Sequence, residues 1–186
     1  MHLFYDNKNG SFHLRDIARK SKLNENSASR FLNELEKNGL LCSKREGSLK
    51  KYSIVKNKET FAVFSIFDIE KFEKLPALRK RAVDIFLQKL ENPPIFALLF
   101  GSTAKENFSH KSDIDILLVF PAKNDTSKAE SEAEALTGLK IQCVQLKYKD
   151  LMSELKLKED AVIQSALHSG YPIINQVYFY EVVYNG

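Results

Sequence analysis

The chain reads as an α+β protein in two dissimilar parts, on three observations. Residues 1–58 hold short helical patterns followed by a basic hairpin pattern, whereas from about residue 76 apolar strands alternate with amphipathic helices. The charge also changes sign between the parts. The first 58 residues carry 13 Lys and Arg against 6 Asp and Glu, a net of +7, while residues 59–186 hold 15 basic and 18 acidic side chains, a net of −3. The first part therefore suits contact with a polyanion and the second does not. Apolar residues make up 44% of the 186, enough for ordered cores. No run of 18 apolar residues occurs, and MHLFYDNKNG has neither the basic start nor the apolar run of a signal peptide. The expectation is a cytoplasmic protein with no membrane partner. Cys42 and Cys143 have no metal-ligand spacing and form no disulfide framework, so both are expected as small core residues.

In the first part, Phe12, Leu14, Ile17 and Ala18 are spaced for one face of a helix ending near Lys20 and Ser21. After a polar turn, Asn24 or Asn26 can cap a second helix from about Ser27 to Asn38, with Ala28, Phe31, Leu32 and Leu35 as its apolar stripe. Gly39 is placed to stop it in the left-handed conformation. LLCSKREGSLKKYSI then reads as two short strands around Arg45, Glu46, Gly47 and Ser48. A helix pair with a tight turn and a basic hairpin resembles a winged helix-turn-helix over roughly residues 3–56, although HLFYDN leaves room for only a short first helix. In that fold the second helix of the pair enters the major groove. The resemblance implies DNA contact through Asn26, Ser27, Ser29, Arg30 and Asn33, with Lys44, Arg45, Lys50 and Lys51 of the wing on phosphates. A dimerisation or protein-docking module with solvated basic residues is the competing reading.

The boundaries expected from sequence are 1–58 for this domain, 59–75 for a connecting helix and 76–186 for the second domain. ETFAVFSIFDIEKFEKL, too aromatic for a loose linker, reads as the connecting helix, with a strand as the alternative. Pro76 starts an amphipathic helix bearing Ala77, Leu78, Val83, Phe86, Leu87 and Leu90, which ends at Asn92, Pro93 and Pro94. Strands are expected at 95–100, 114–120 and 140–146, and helices at 127–136, 149–157 and 160–168.

The chemistry concentrates in LLFGSTAKENFSHKSDIDILLVF, residues 98–120. A buried strand ends at Phe100, turns at Gly101 and Ser102, and returns as Ser112, Asp113, Ile114 and Asp115. Alternation along a strand sends Asp113 and Asp115 to one face. Two adjacent carboxylates repel unless a cation sits between them, and Mg²⁺ prefers such hard oxygens while keeping waters and phosphates in its shell. Gly101 allows close backbone approach, and the N–H groups and the Ser102 hydroxyl after it can meet an anion.

Gly-Ser, ten residues, then Asp-x-Asp entering an apolar strand resembles the DNA polymerase β-type nucleotidyltransferase superfamily. Within it the chain looks most like the minimal nucleotidyltransferases, including archaeal-type versions fused to a winged helix. HSGYPIINQVYFYEVV resembles the family's closing segment. The resemblance implies a mixed β-sheet with flanking helices, a triphosphate held by Gly101 and Ser102, and Mg²⁺ or Mn²⁺ bound by Asp113 and Asp115 as catalytic carboxylates. It further implies ATP or another nucleoside triphosphate as substrate, with Lys105 on a phosphate. Minimal relatives often act as antitoxin-like partners of a small helical toxin, which makes a protein acceptor a candidate beside nucleic acid. Glu106 stands where glycine is frequent. Active relatives commonly carry a third acid on the next strand, where this chain offers Gln142 or Gln145, and Asp150 a little later is a poor substitute. His110 reads as a solvated loop residue. Tyr178, Phe179, Tyr180 and Tyr184 read as packing, including a contact with a partner or a second copy.

Overall fold

The computed structural model describes residues 1–47, 49–110, 112–122 and 124–185. Ser48, expected in the hairpin turn, lies outside the described residues. The chain divides into two compact units, Met1–Phe67 with Tyr180–Asn185, and Asp68–Phe179.

The first unit contains α1 (His2–Tyr5), β1 (Phe12–His13), α2 (Leu14–Lys20), α3 (Glu25–Lys37), β2 (Leu41–Glu46) and β3 (Leu49–Ile54), then enters α4 (Lys58–Glu73). Asn24 caps α3 by accepting from the Ser27 N–H at 2.8 Å, and Gly39 follows its end at φ +71°. Its three-stranded sheet has the order β1-β3-β2, all antiparallel. Tyr5, Phe61, Phe64 and Tyr180 are buried together, with Phe61 and Tyr180 stacked at 5.6 Å between centroids. Asn57 starts α4 by accepting from the Thr60 N–H while its own amide donates to Gly39 O. Three side chains depart from expectation, the first being Phe12, which lies in β1 rather than on the face of α2. Phe31 is 45% exposed rather than part of the α3 stripe, and Cys42 is exposed because the strand alternation that buries Leu41 turns its neighbour outward.

The second unit holds α5 (Ala77–Gln88), β4 (Phe96–Phe100), α6 (Gly101–Ala104), β5 (Ile114–Phe120), α7 (Ser127–Thr137), β6 (Ile141–Lys147), α8 (Tyr148–Leu157), α9 (Ala161–Ser169), β7 (Tyr171–Ile174) and most of the first turn of α10 (Gln176–Asn185). Its mixed sheet runs β6-β5-β4-β7. β4 is antiparallel to both neighbours, and β5 and β6 are parallel across the α7 crossover. The central strands are continuous apolar runs because both faces are covered. Ile114, Ile116, Leu118, Ala97 and Leu99 pack with Ala82, Val83 and Phe86 of α5 and Ala129 and Ala133 of α7. The opposite face buries Leu98, Leu117 and Val119, on the side where Leu151 of α8 and Ile163 of α9 are also buried. Gly170 lets α9 close onto the sheet, since a Cβ there would lie 2.6 Å from Leu99 O. This sheet leaves the start of β5 and the end of β4 at one rim, where the motif residues collect. Among the described residues no helix is long and apolar enough to cross a membrane.

Candidate active site and basic surface

The rim site is built on a missing side chain. Gly101 has φ +63°, and a Cβ on it would fall 2.0 Å from Asp115 Oδ2 and 2.8 Å from its Cγ. The strand register sets Phe100 opposite Asp115, so the turn after β4 wraps directly onto that carboxylate. Ser102 follows, half-buried, in the single turn of α6. The turn closes through Lys105 N–H to Gly101 O at 3.2 Å and Asn107 N–H to Ser102 O at 3.2 Å. Lys105 is exposed at its C-terminal end. Glu106 takes φ +57°, so a residue with a side chain adopts the backbone conformation that glycine reaches freely, at roughly 1–2 kcal/mol.

Asp113 and Asp115 are both half-buried, while Ile114 and Ile116 between and beyond them are fully buried on the other face. Burial raises the Asp115 carboxyl above the ordinary carboxylate range, and the neighbouring Asp113 charge pushes it further. Among the described residues neither carboxylate has an ion-pair partner, and no group of three His, Cys, Asp or Glu forms a ligand cluster. The residues present are two neighbouring carboxylates beside the Gly101 turn, hard-oxygen donors of the kind that suit a divalent cation keeping further ligands of its own.

The β5–β6 register decides between the two glutamines. Gln142 pairs with Asp115 and shares its face, exposed at the rim, whereas Gln145 pairs with Leu118 and donates to Thr126 Oγ1 at 2.9 Å. Asp150 stands in the first turn of α8, beyond the opposite end of β5, where it lines a cavity of about 340 Å³ with Phe120 and Cys143. From Asp115 to Phe120 the strand covers roughly 16 Å at 3.3 Å per residue. Asp150 is thus at the wrong end of the sheet to join the pair. His110 is an exposed loop residue. One residue of the site carried no motif: Arg79 of α5, buried, reaches the segment between the Gly-Ser turn and the aspartates. The signal for it was its place on the same helical stripe as Val83 and Phe86, where an unpaired charge is out of keeping.

The sequence model of the family described as "Polymerase beta, Nucleotidyltransferase" matches residues 82–176, just over half of the chain, and includes the turn, both aspartates and all four strands of the mixed sheet. The chain belongs to the polymerase beta nucleotidyltransferase family. Among curated proteins none matches it. A solved structure described as "Crystal structure of the toxin-antitoxin with AMP-PNP" is similar to this chain at 16% identity, covering 57% of this chain and 82% of that one, with a TM-score of 0.39. A likeness that loose has no bearing on function.

A second candidate surface lies in the N-terminal unit of the chain. On α3, Ser27 and Ser29 are half-buried, Arg30 and Asn33 are exposed, and Asn26 is exposed in the first turn. On the hairpin, Lys44 pairs across the strands with Lys51, and Arg45 with Lys50. Two of these four cations are already engaged. Lys50 Nζ donates to Glu36 Oε2 of α3 at 2.8 Å, and Lys51 meets Glu46 at 3.3 Å. The bond from Lys50, with a second from Ser43, holds the Glu36 carboxyl below its ordinary range, and the same contact raises the Lys50 ammonium. Among the described residues Lys44 and Arg45 pair with no carboxylate.

Proposed function

We propose that the chain is a divalent-metal-dependent enzyme that transfers a nucleoside monophosphate from ATP or another nucleoside triphosphate to a hydroxyl of an acceptor. The observation carrying this reading is Asp115 seated in the space opened by Gly101, with Asp113 beside it and no cation partner for either among the described residues. In this reading Asp113 and Asp115 hold Mg²⁺ or Mn²⁺, which when bound supplies charge neutralisation for the phosphates and the attacking oxygen. Gly101 and Ser102 grip the triphosphate through N–H groups and the Ser102 hydroxyl, and Lys105 reaches a phosphate from the open side. The acceptor hydroxyl oxygen attacks the α-phosphorus and gives up its proton to solvent, the bond from phosphorus to the α–β bridging oxygen breaks, and pyrophosphate leaves. The acceptor is a nucleic acid or a helical partner protein of the toxin type. Transfer of label from α-labelled ATP with Mg²⁺ onto a co-expressed partner tests this reading. Labelling that survives Asp113→Ala with Asp115→Ala would sink it.

Gln142 favours a second reading. It occupies the place beside Asp115 where a third acid would activate the attacking hydroxyl, and it cannot take a proton. General-base assistance contributes about 10²–10⁴-fold, so transfer by the native chain would be slow, leaving a nucleotide-binding regulator of antitoxin type. Gln142→Glu should then accelerate transfer by at least about ten-fold, with a new acidic limb in the pH–rate profile. An unchanged rate would place the general base elsewhere.

For the N-terminal unit we propose a winged helix-turn-helix that contacts DNA, with α3 in the major groove and Lys44 and Arg45 of the hairpin on phosphates. Its support is the +7 charge, the α2–α3 pair with Asn24 capping α3, and the outward Arg30 and Asn33.

A further inference from the structure

Helix α5 turns one charged residue toward the core. Arg79, on one stripe with Val83 and Phe86, is 3% exposed. Burial lowers its pKa from the ordinary arginine value, yet a guanidinium stays charged in a protein. Such a group must find acceptors for its donors. The three acceptors that Arg79 finds all lie on the segment that joins β4 to β5. Nη1 donates to Thr103 Oγ1 at 3.0 Å, and Nη2 donates to Ser109 O at 2.9 Å and to Ser112 O at 2.8 Å. Its Cζ lies 4.1 Å from the centroid of the Phe108 ring. No carboxylate pairs with it among the described residues.

Those acceptors are placed tellingly. Thr103 follows Ser102, and the Ser112 carbonyl belongs to the peptide whose nitrogen is that of Asp113. One side chain therefore grips both ends of the segment that separates the Gly-Ser turn from the carboxylate pair. A buried, unpaired charge is a poor way to gain stability, since an apolar side chain of similar volume packs as well without desolvating an ion. A planar fork that reaches three acceptors at once does serve to hold a loop, and lysine cannot replace it because its donors radiate from a single nitrogen.

We propose that Arg79 is a positioning residue, which ties Thr103, Ser109 and Ser112 together so that Asp113 and the Gly101–Ser102 turn are set against Asp115 before any ligand arrives. Its consequence for binding rests on the nucleotide–metal reading above, whereas the lock itself does not. The test uses the full chain carrying Arg79→Ala and Arg79→Lys, the second standing in if the first does not fold. Amide exchange of Lys105, Glu106, Asn107 and Ser109, whose N–H groups are bonded within the segment, reads the lock directly. Both variants should exchange there at least about ten-fold faster with the amides of β4 and β5 unchanged. Mn²⁺ binding, followed by its paramagnetic resonance signal, should weaken by at least about ten-fold, toward the 10–100-fold lost when groups that orient metal ligands are removed. Ethylguanidinium added to Arg79→Ala should restore both. Unchanged exchange in the segment, or equal loosening of β4 and β5, overturns the proposal and leaves Arg79 a packing residue. Should the wild type bind no Mn²⁺, the nucleotide reading fails, and the exchange measurement still decides on Arg79.

Discussion

The surroundings of Asp115 disfavour its charged form. Burial first, and Asp113 second, raise its folded pKa above the unfolded one, so the folded chain holds this proton more tightly. The linked stability is full below the unfolded value and is lost as pH rises through the folded value. At neutral pH, without divalent ions, Asp115→Asn should melt at a higher temperature than the wild type, and the gap should close on acidification below about pH 4. Mg²⁺ should raise the melting temperature of the wild type and not of the variant. The same residue-scale logic separates the hairpin cations. Lys50 holds Glu36, so Lys50→Met should leave the salt dependence of DNA binding unchanged. Arg45→Ala, which removes an unpaired cation, should reduce the slope of log affinity against log salt by about 0.9. A slope that falls equally in both variants would show that Lys50 leaves Glu36 for a phosphate.

Two glycines contrast at the level of elements. Gly138 ends α7 at φ +69° with open space where a Cβ would sit, whereas Gly101 ends β4 at φ +63° with Asp115 in that space. Gly138→Ala should therefore lower stability by about 1 kcal/mol, the penalty of the left-handed conformation alone, and leave ligand binding intact. Gly101→Ala should lose more stability and abolish Mg²⁺ and nucleotide binding, measured by denaturant melts beside calorimetry. Element ends marked by such residues were legible in sequence: Asn24, one of two caps expected, and Gly39 bracket α3, and Pro76 starts α5. The strands β1 and β7 were not. β1 has two residues, and β7 is a four-residue edge strand containing Pro172, so neither shows a period. Leu78 was expected on the buried stripe of α5 and is 50% exposed, because the turn that starts at Pro76 presents Arg79 to the core instead.

Across the molecule, a +7 first part and a −3 remainder are joined in one chain. The intact protein should bind duplex DNA with an affinity that falls steeply with salt, since phosphate contacts release counterions. A truncation ending at residue 58 cannot test this, because Phe61, Phe64 and Tyr180 belong to the N-terminal unit's core. The two carboxylates and the Gly-Ser turn were readable from spacing, since alternation along β5 and a glycine-demanding turn are local properties. Which glutamine lies beside Asp115, and that Asp150 lies at the far end of the sheet, depended on the β5–β6 register, which pairs residues distant in sequence. Arg79 depended on a contact across more than twenty residues. The central claim is that the Asp113–Asp115 pair beside Gly101 binds a metal–nucleotide complex. Calorimetric titration of Mg²⁺ with ATP into the wild type and into Asp113→Asn/Asp115→Asn tests it most directly. Saturable binding that requires Mg²⁺ and disappears in the double variant is the predicted result, and equal heats from the two proteins would contradict it.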